Sequence, residues 1–248
     1  FYNPVIAESA TKPGKNEMAK RRRGKNRWQV IIMLAICVIA GMFSMSASNP
    51  AANVLFTVEQ IAPYAGNSYT VVNGNVPYFE EQMFEMDPFE EYEPLDELGR
   101  ATGAVAMIEA SMFPTEPRGS IGMIRPSGWH TVRYDDLIEG KYLYNRCHLI
   151  AYMLTGQNDN QLNLITGTRY MNVEGMLPWE IKVHDHIEET GDRVLYRVTP
   201  VYDGHDLVAK GVLMEAQSLD GALSFCVFCY NIQPGIRIDY SDGCSERT

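Results

Sequence analysis

The sequence predicts an α+β protein built on a central antiparallel sheet with flanking helices, and three patterns carry that prediction. Residues 194–202, 207–216 and 223–232 are apolar-rich runs separated by Asp203-Gly204 and Asp220-Gly221, the form of consecutive strands joined by tight turns. Residues 104–108 and 143–150 read as two further strands upstream. Between the two groups, 168–190 has helical spacing, with Thr168 as N-cap candidate and Gly191-Asp192 as stop.

The remaining elements follow in order. Asn73-Gly74 suggests a hairpin over 71–77. Residues 79–97 interleave acids with Phe84, Met86, Phe89, Tyr92 and Leu95, and the charge favours a solvated loop there. Pro114, Pro117, Gly119 and Gly122 mark a loop, after which 129–134 alternates like a strand. Residues 159–164 form a polar turn. Pro178 is expected to end or kink the helix that starts at Thr168, leaving 179–190 as a second piece.

The segments divide as 1–48, 49–99 and 100–248. The first carries eight basic residues before Trp28, an apolar run over 30–43 and a small, uncharged Ser44-Met45-Ser46-Ala47-Ser48. Those are the three parts of a secretory signal. The apolar run is shorter than the ~20 residues of a typical span, so a cleaved signal is expected before a membrane tether. Either way the protein is expected to be secreted or held on the outer side of a membrane. Residues 49–99 are an acidic extension with ten acids and no base, and 100–248 is the expected main domain.

Charge excludes a generally basic nucleic-acid binder. From residue 49 onward the net charge is −16, against −10 for the whole chain. The stretch 100–182 balances eight acids with eight bases, so any polyanion must be met by a local basic groove there. Cys147, Cys226, Cys229 and Cys244 permit disulfides in an exported protein, with Cys226 or Cys229 to Cys244 as the candidate pairing. Cys226 and Cys229 lie on one expected strand, where residues three apart face opposite sides, which argues against a shared zinc.

The chemistry concentrates between Tyr144 and Glu180. Arg146-Cys147-His148 closes a strand; Asn163, Asn172 and Glu180 follow at intervals of nine and eight. An imidazole near neutrality is a good general base. A carboxamide oxygen is a hard ligand suited to Mg2+, which keeps most of its waters. On an ideal helix Glu180 lies about 80° round from Asn172. Asn163 could hold His148, the loop, or a metal-bound water. Such an ordering can arrange a hydrated cation and a base around a phosphodiester.

This combination resembles the DNA/RNA non-specific endonucleases, a ββα-metal (His-Me finger) family. The motif stands here as Asn145-Arg146-Cys147-His148, then Asn163, Asn172 and Glu180, and the run from Thr166 to Glu180 is similar to streptococcal-type secreted and DNA-uptake nucleases. The resemblance implies a ββα-metal core acting on DNA and RNA. It implies His148 as general base, Asn172 as Mg2+ ligand (Mn2+ being the alternative ion), and Arg146, Asn163 and Glu180 as supporting catalytic residues. Arg125, Arg133 and Arg169 are candidates for the phosphate. A protein inhibitor is left open as a partner.

Asn145 replaces the Asp of the family pattern, and Cys147 its Gly. These departures keep a second reading in play, a membrane-tethered DNA-binding or uptake component with a decayed site. A thiol-dependent or zinc hydrolase using Cys226-x-x-Cys229 with His184, His186 or His205 is a third.

Overall fold

The computed structural model describes residues 56–248. The expected signal segment, including 30–43, lies outside the described residues. The elements, in order, are β1 (Tyr69–Val71), β2 (Phe89–Tyr92), β3 (Ala104–Ile108), β4 (Tyr144–His148), α1 (Tyr152–Thr155), β5 (Leu164–Thr168), a π-helical turn (Met171–Met176), α2 (Leu177–Thr190), β6 (Val194–Val201), β7 (Gly211–Ser218), β8 (Ser224–Tyr230), β9 (Ile236–Ile238) and β10 (Ser245–Arg247). The protein is α+β, with a six-stranded antiparallel sheet in the order β1-β8-β7-β6-β3-β2. Two small antiparallel ribbons, β4–β5 and β9–β10, stand apart from it. Among the described residues no helix is long and apolar enough to cross a membrane.

Alternation along the central strands sorts their side chains between two faces. Val194, Tyr196 and Val198 of β6, with Met214 of β7 and Val227 of β8, pack against Trp179, Val183 and Ile187 of α2 and against Cys147 and Ile165 of the β4–β5 ribbon. The main core therefore sits between the sheet and the layer that carries the motif. On the opposite face, Leu213, Cys226 and Phe228 cluster with Phe56. Cys226 and Cys229 thus enter different clusters, as the strand spacing requires. All four described cysteines are free, so the expected pairing to Cys244 does not form.

The acidic segment departs from its expectation. It is not a solvated loop: Phe89–Tyr92 is an edge strand paired with β3, and Met83, Phe79, Phe84 and Phe89 cover Val105, Met107 and Leu195 on the back of the sheet. The interleaved apolar residues outweigh the charge: Met83 is buried and the rings are half-buried, while most of the acids stay exposed. β1 and β2 both come from the acidic extension, and both join the main sheet. Two other expectations also fail. Asn73–Asn75 is a tight turn with positive φ at all three residues, but β1 pairs with β8 and not with the residues that follow the turn. Residues 129–134 form no strand, because only Arg133 bridges, to Tyr142.

The helix after β5 begins as expected and then widens. The Thr168 hydroxyl accepts from the Met171 amide at 3.0 Å, the N-cap role predicted for it. A π-helical turn runs Met171–Met176, with Met171 and Met176 both buried five residues apart. Pro178 sits where the π-helical turn passes into α2, and the helix runs through it: the Glu174 carbonyl, four residues back, accepts instead from the Ser68 hydroxyl at 2.7 Å. Gly191 ends α2 in the left-handed conformation at φ 71°.

Gly167 on β5 shows how tightly ribbon and helix meet. A β-carbon there would collide with the Cys147 sulfur and the Met171 methyl group. Gly167→Ala is expected to lower stability by about 1–3 kcal/mol, as overpacking does. Cys147→Ala should recover part of that loss in the double variant, read as a coupling energy from chemical denaturation.

Candidate active site

β4 ends at His148, and its antiparallel pairing with β5 sets the histidine opposite Leu164. Asn163 fixes the chain just beyond. Its carboxamide oxygen accepts from the Ile150 amide at 2.8 Å, its nitrogen donates to the Ile150 carbonyl at 2.9 Å, and its own carbonyl accepts from the Leu149 amide at 2.9 Å. Asn163 is fully buried and does not line the cleft into which His148 opens. It holds the backbone that follows His148. Asn163→Ala leaves both Ile150 groups without partners and is expected to cost roughly 2 kcal/mol or more. Thermal unfolding of the variant checks this.

The cleft has a volume of about 800 Å³. His148, Asn145, Arg146, Arg169, Asn172 and Glu180 all line it. So does Arg118, which motif reasoning did not select. Asn172 and Glu180 would be about 80° apart on an ideal helix. The π-helical turn between them changes that phase, and both reach the same opening. The Asn172 carboxamide makes no hydrogen bond among the described residues. Three arginines and one carboxylate line the cleft, so an acidic protein carries a cationic groove where the local charge balance allowed one.

The partners of His148 fix its state. One ring nitrogen, Nε2, lies 2.8 Å from the Asn158 carbonyl, which can only accept, so Nε2 carries the proton. The other, Nδ1, lies 3.1 Å from Nη2 of Arg118, which can only donate, so Nδ1 offers its lone pair. The imidazole is thereby neutral. Burial, assisted by the Arg118 charge, lowers its pKa from 6.5 to about 4. Burial also raises the Glu180 carboxyl to about 8, against the opposing pull of Arg118. Desolvation holds the Cys147 thiol well above its ordinary range, which makes it a packing residue and not a nucleophile.

The loop that delivers Arg118 is tied down on both sides. The Tyr152 hydroxyl donates to the Glu116 carbonyl at 2.6 Å, and Gly119 lies so close to Asn158 that a β-carbon would meet its side-chain nitrogen at 2.8 Å. Arg146 has a mixed role. It donates to the carbonyls of Ile124 and, at 2.8 Å, Gly122, and its guanidinium lies 4.0 Å over the Trp129 ring while lining the cleft.

A family model described as DNA/RNA non-specific endonuclease matches residues 81–220, more than half of the chain. The chain belongs to that family. Within the DNA/RNA non-specific endonucleases, a deoxyribonuclease of Streptococcus dysgalactiae subsp. equisimilis is 30% identical, over 61% of this chain and 59% of its own length. The chain thus spans less than two thirds of that curated relative. NucA from Streptococcus agalactiae, solved with no metal bound, superposes with a TM-score of 0.68 at 25% identity, covering 77% of this chain and 92% of NucA. The same protein with magnesium bound gives 0.64 at 25% identity, with 71% and 86% covered. The Sda1 nuclease with bound zinc gives 0.61 at 26% identity, with 73% and 97% covered.

The family motif and the cleft agree for His148, Arg146, Asn172 and Glu180, which this endonuclease-family chain brings to one opening. Of the arginines expected at the phosphate, only Arg169 joins them. Arg133 lies outside the cleft, exposed and held by Asp135 at 3.0 Å through both Nε and Nη2. Arg125 is exposed and off the cleft, and its charge acts on Arg146. Arg118 takes the position against His148, 3.1 Å from its Nδ1. Its one sequence signal is that it stands among the bases of the charge-balanced stretch, between Pro117 and Gly119 of the loop.

Proposed function

We propose that the protein is a Mg2+-dependent endonuclease that hydrolyses phosphodiester bonds of DNA and RNA outside the cell membrane, with Mn2+ as the alternative ion. The observation that carries this reading is the neutral His148, its Nδ1 lone pair turned toward a cationic cleft that also receives Asn172 and Glu180. The donor set fits a hard, mostly hydrated cation. A carboxamide oxygen without a hydrogen-bond partner and a buried carboxylate are oxygen ligands that leave room for water. The magnesium-bound state of NucA supports the choice of ion.

Asn172 would hold the metal directly and Glu180 would accept from its waters. When bound, the ion neutralises phosphate charge and stabilises the leaving 3′ oxygen. His148 accepts a proton from the attacking water at Nδ1, while the Asn158 carbonyl holds the ring by Nε2–H and stabilises the imidazolium that forms. Arg118 turns from Nδ1 to a phosphate oxygen, which frees the lone pair and places a fixed positive charge where negative charge grows. Arg169 and Arg146 grip the phosphates on either side. The bond from phosphorus to the 3′ oxygen breaks, that oxygen takes a proton from solvent, and the products are a 5′-phosphate end and a 3′-hydroxyl end. The test is digestion of plasmid and of RNA by wild type and Asn172→Ala, with Mg2+ and with EDTA. Metal-dependent cleavage by wild type alone is expected; equal cleavage in EDTA would overturn the reading.

The pH profile follows from His148. The base works only when neutral, and its pKa is depressed to about 4. With metal saturating, so that the bound cation holds Glu180 ionised against its burial, kcat/KM should hold as pH falls through 6.5 and decline near 4. The folded pKa lies below the unfolded value, so this histidine contributes stability above 6.5 that is lost as pH falls from there toward 4. An acid limb at 6.5 in single-turnover rates would show that the imidazole is not desolvated in the active state.

A further inference from the structure

A second cluster of metal-binding side chains lies away from the cleft. His186 sits in the last turns of α2, Asp192 follows the Gly191 cap, and Asp220 lies in the β7–β8 turn. Their donor atoms all fall within 4.8 Å of one another. The His186 Nε2 is 3.7 Å from Asp220 Oδ1 and 4.0 Å from Asp192 Oδ2. These separations are too long for hydrogen bonds. Nε2 is itself buried and has no hydrogen-bond partner among the described residues. Donors that share one ion at about 2.0–2.2 Å stand roughly 3–4 Å apart, and both distances from His186 Nε2 fall in that range.

We propose that His186, Asp192 and Asp220 form a second, structural metal site that takes a first-row divalent ion such as Zn2+. One imidazole nitrogen and two carboxylates suit such an ion better than Mg2+ or Ca2+, which prefer oxygen alone. The carboxylates are oriented in advance. Asp192 Oδ2 accepts from the Asp220 amide at 2.8 Å, and Asp220 Oδ1 accepts from the Ala222 amide at 2.8 Å and the Ser218 hydroxyl at 2.6 Å. The Ser218 hydroxyl has a second acceptor in the Leu223 carbonyl at 3.3 Å, so it can release Asp220 to an ion. Asp192 and Asp220 bring two negative charges together at a half-buried imidazole, an arrangement that a cation relieves. The ion would join the end of α2 to the β7–β8 turn. His186 is six residues beyond Glu180, about 9 Å along the helix axis, and none of the three residues lines the catalytic cleft.

The test strips the full chain with EDTA, equilibrates it with Zn2+ alone, and measures bound zinc and thermal midpoint. Asn172→Ala removes the proposed cleft ligand, so its remaining zinc reports the second site whether or not the catalytic reading holds. Asn172→Ala is expected to keep one equivalent and to melt higher with zinc. Adding His186→Gln or the exposed, isosteric Asp220→Asn to that background should remove the equivalent and the thermal shift together. Zinc content unchanged by both additions, or no tight zinc in Asn172→Ala, overturns the site. The latter result would assign His186 as an ion-pairing residue only.

Discussion

His148→Ala is expected to lower kcat/KM on plasmid DNA by about 10²–10⁴-fold, the contribution usual for a positioned general base. The loss follows from where the imidazole stands: Nε2 is anchored to the Asn158 carbonyl, and Nδ1 is the lone pair that faces the cleft. Because His148 is buried, alanine also leaves the Asn158 carbonyl without a donor, which costs roughly 1–3 kcal/mol in stability. A second variant separates the two effects. His148→Gln keeps a side-chain N–H within reach of Asn158 but cannot take a proton from water near neutral pH. It should fold with a midpoint nearer wild type and lose activity as fully as the alanine variant. Either variant retaining activity within about tenfold, in rates measured well below its melting temperature, would remove His148 from the role of base.

Arg118 is a part of the site that no local pattern shows. The motif is legible because its members follow one another within 37 residues on a ribbon and the helical stretch that follows it, so their order alone brings them near one another. Arg118 comes from an irregular loop held by Tyr152 and by close packing on Asn158, contacts that only the folded chain creates. Arg133 illustrates the converse. Its alternating neighbours suggested a strand, yet only one bridge forms, and the nearby Asp135 takes its guanidinium. The meander β6–β7–β8 was readable because Gly204 and Gly221 adopt positive φ at its turns, a requirement glycine meets at little cost. The π-helical turn left no comparable mark. Its sign is the burial of Met171 and Met176 five residues apart, and that pattern is visible only once the core is known.

The acidic segment shows the same limit and leads to the largest expected change in stability. Charge suggested a solvated loop, whereas the segment closes the back of the sheet over a buried ion pair. Arg197 on β6 and Glu215 on β7 face each other in register, with Nε to Oε2 at 2.8 Å and both side chains essentially inaccessible. Glu215 Oε1 also accepts from the Tyr78 amide at 2.7 Å, Arg197 Nη2 donates to the Tyr78 carbonyl at 3.1 Å, and the guanidinium lies 4.9 Å over the Phe79 ring. The pair therefore fastens the start of the segment to the sheet. Arg197→Met should destabilise the protein by about 3–5 kcal/mol, because it strands a buried carboxylate. For a domain of this size that corresponds to a fall in Tm of roughly 10 °C. Arg197→Met/Glu215→Leu removes both charges and should recover much of the midpoint, since apolar replacements of buried pairs are often neutral. It cannot restore the two hydrogen bonds to Tyr78, so the segment should open more readily than in wild type. Limited proteolysis near residue 78, faster in the double variant at matched distance below Tm, is the expected signature. Equal cleavage rates would mean that the aromatic cluster of Phe79, Phe84 and Phe89 holds the segment without the ion pair.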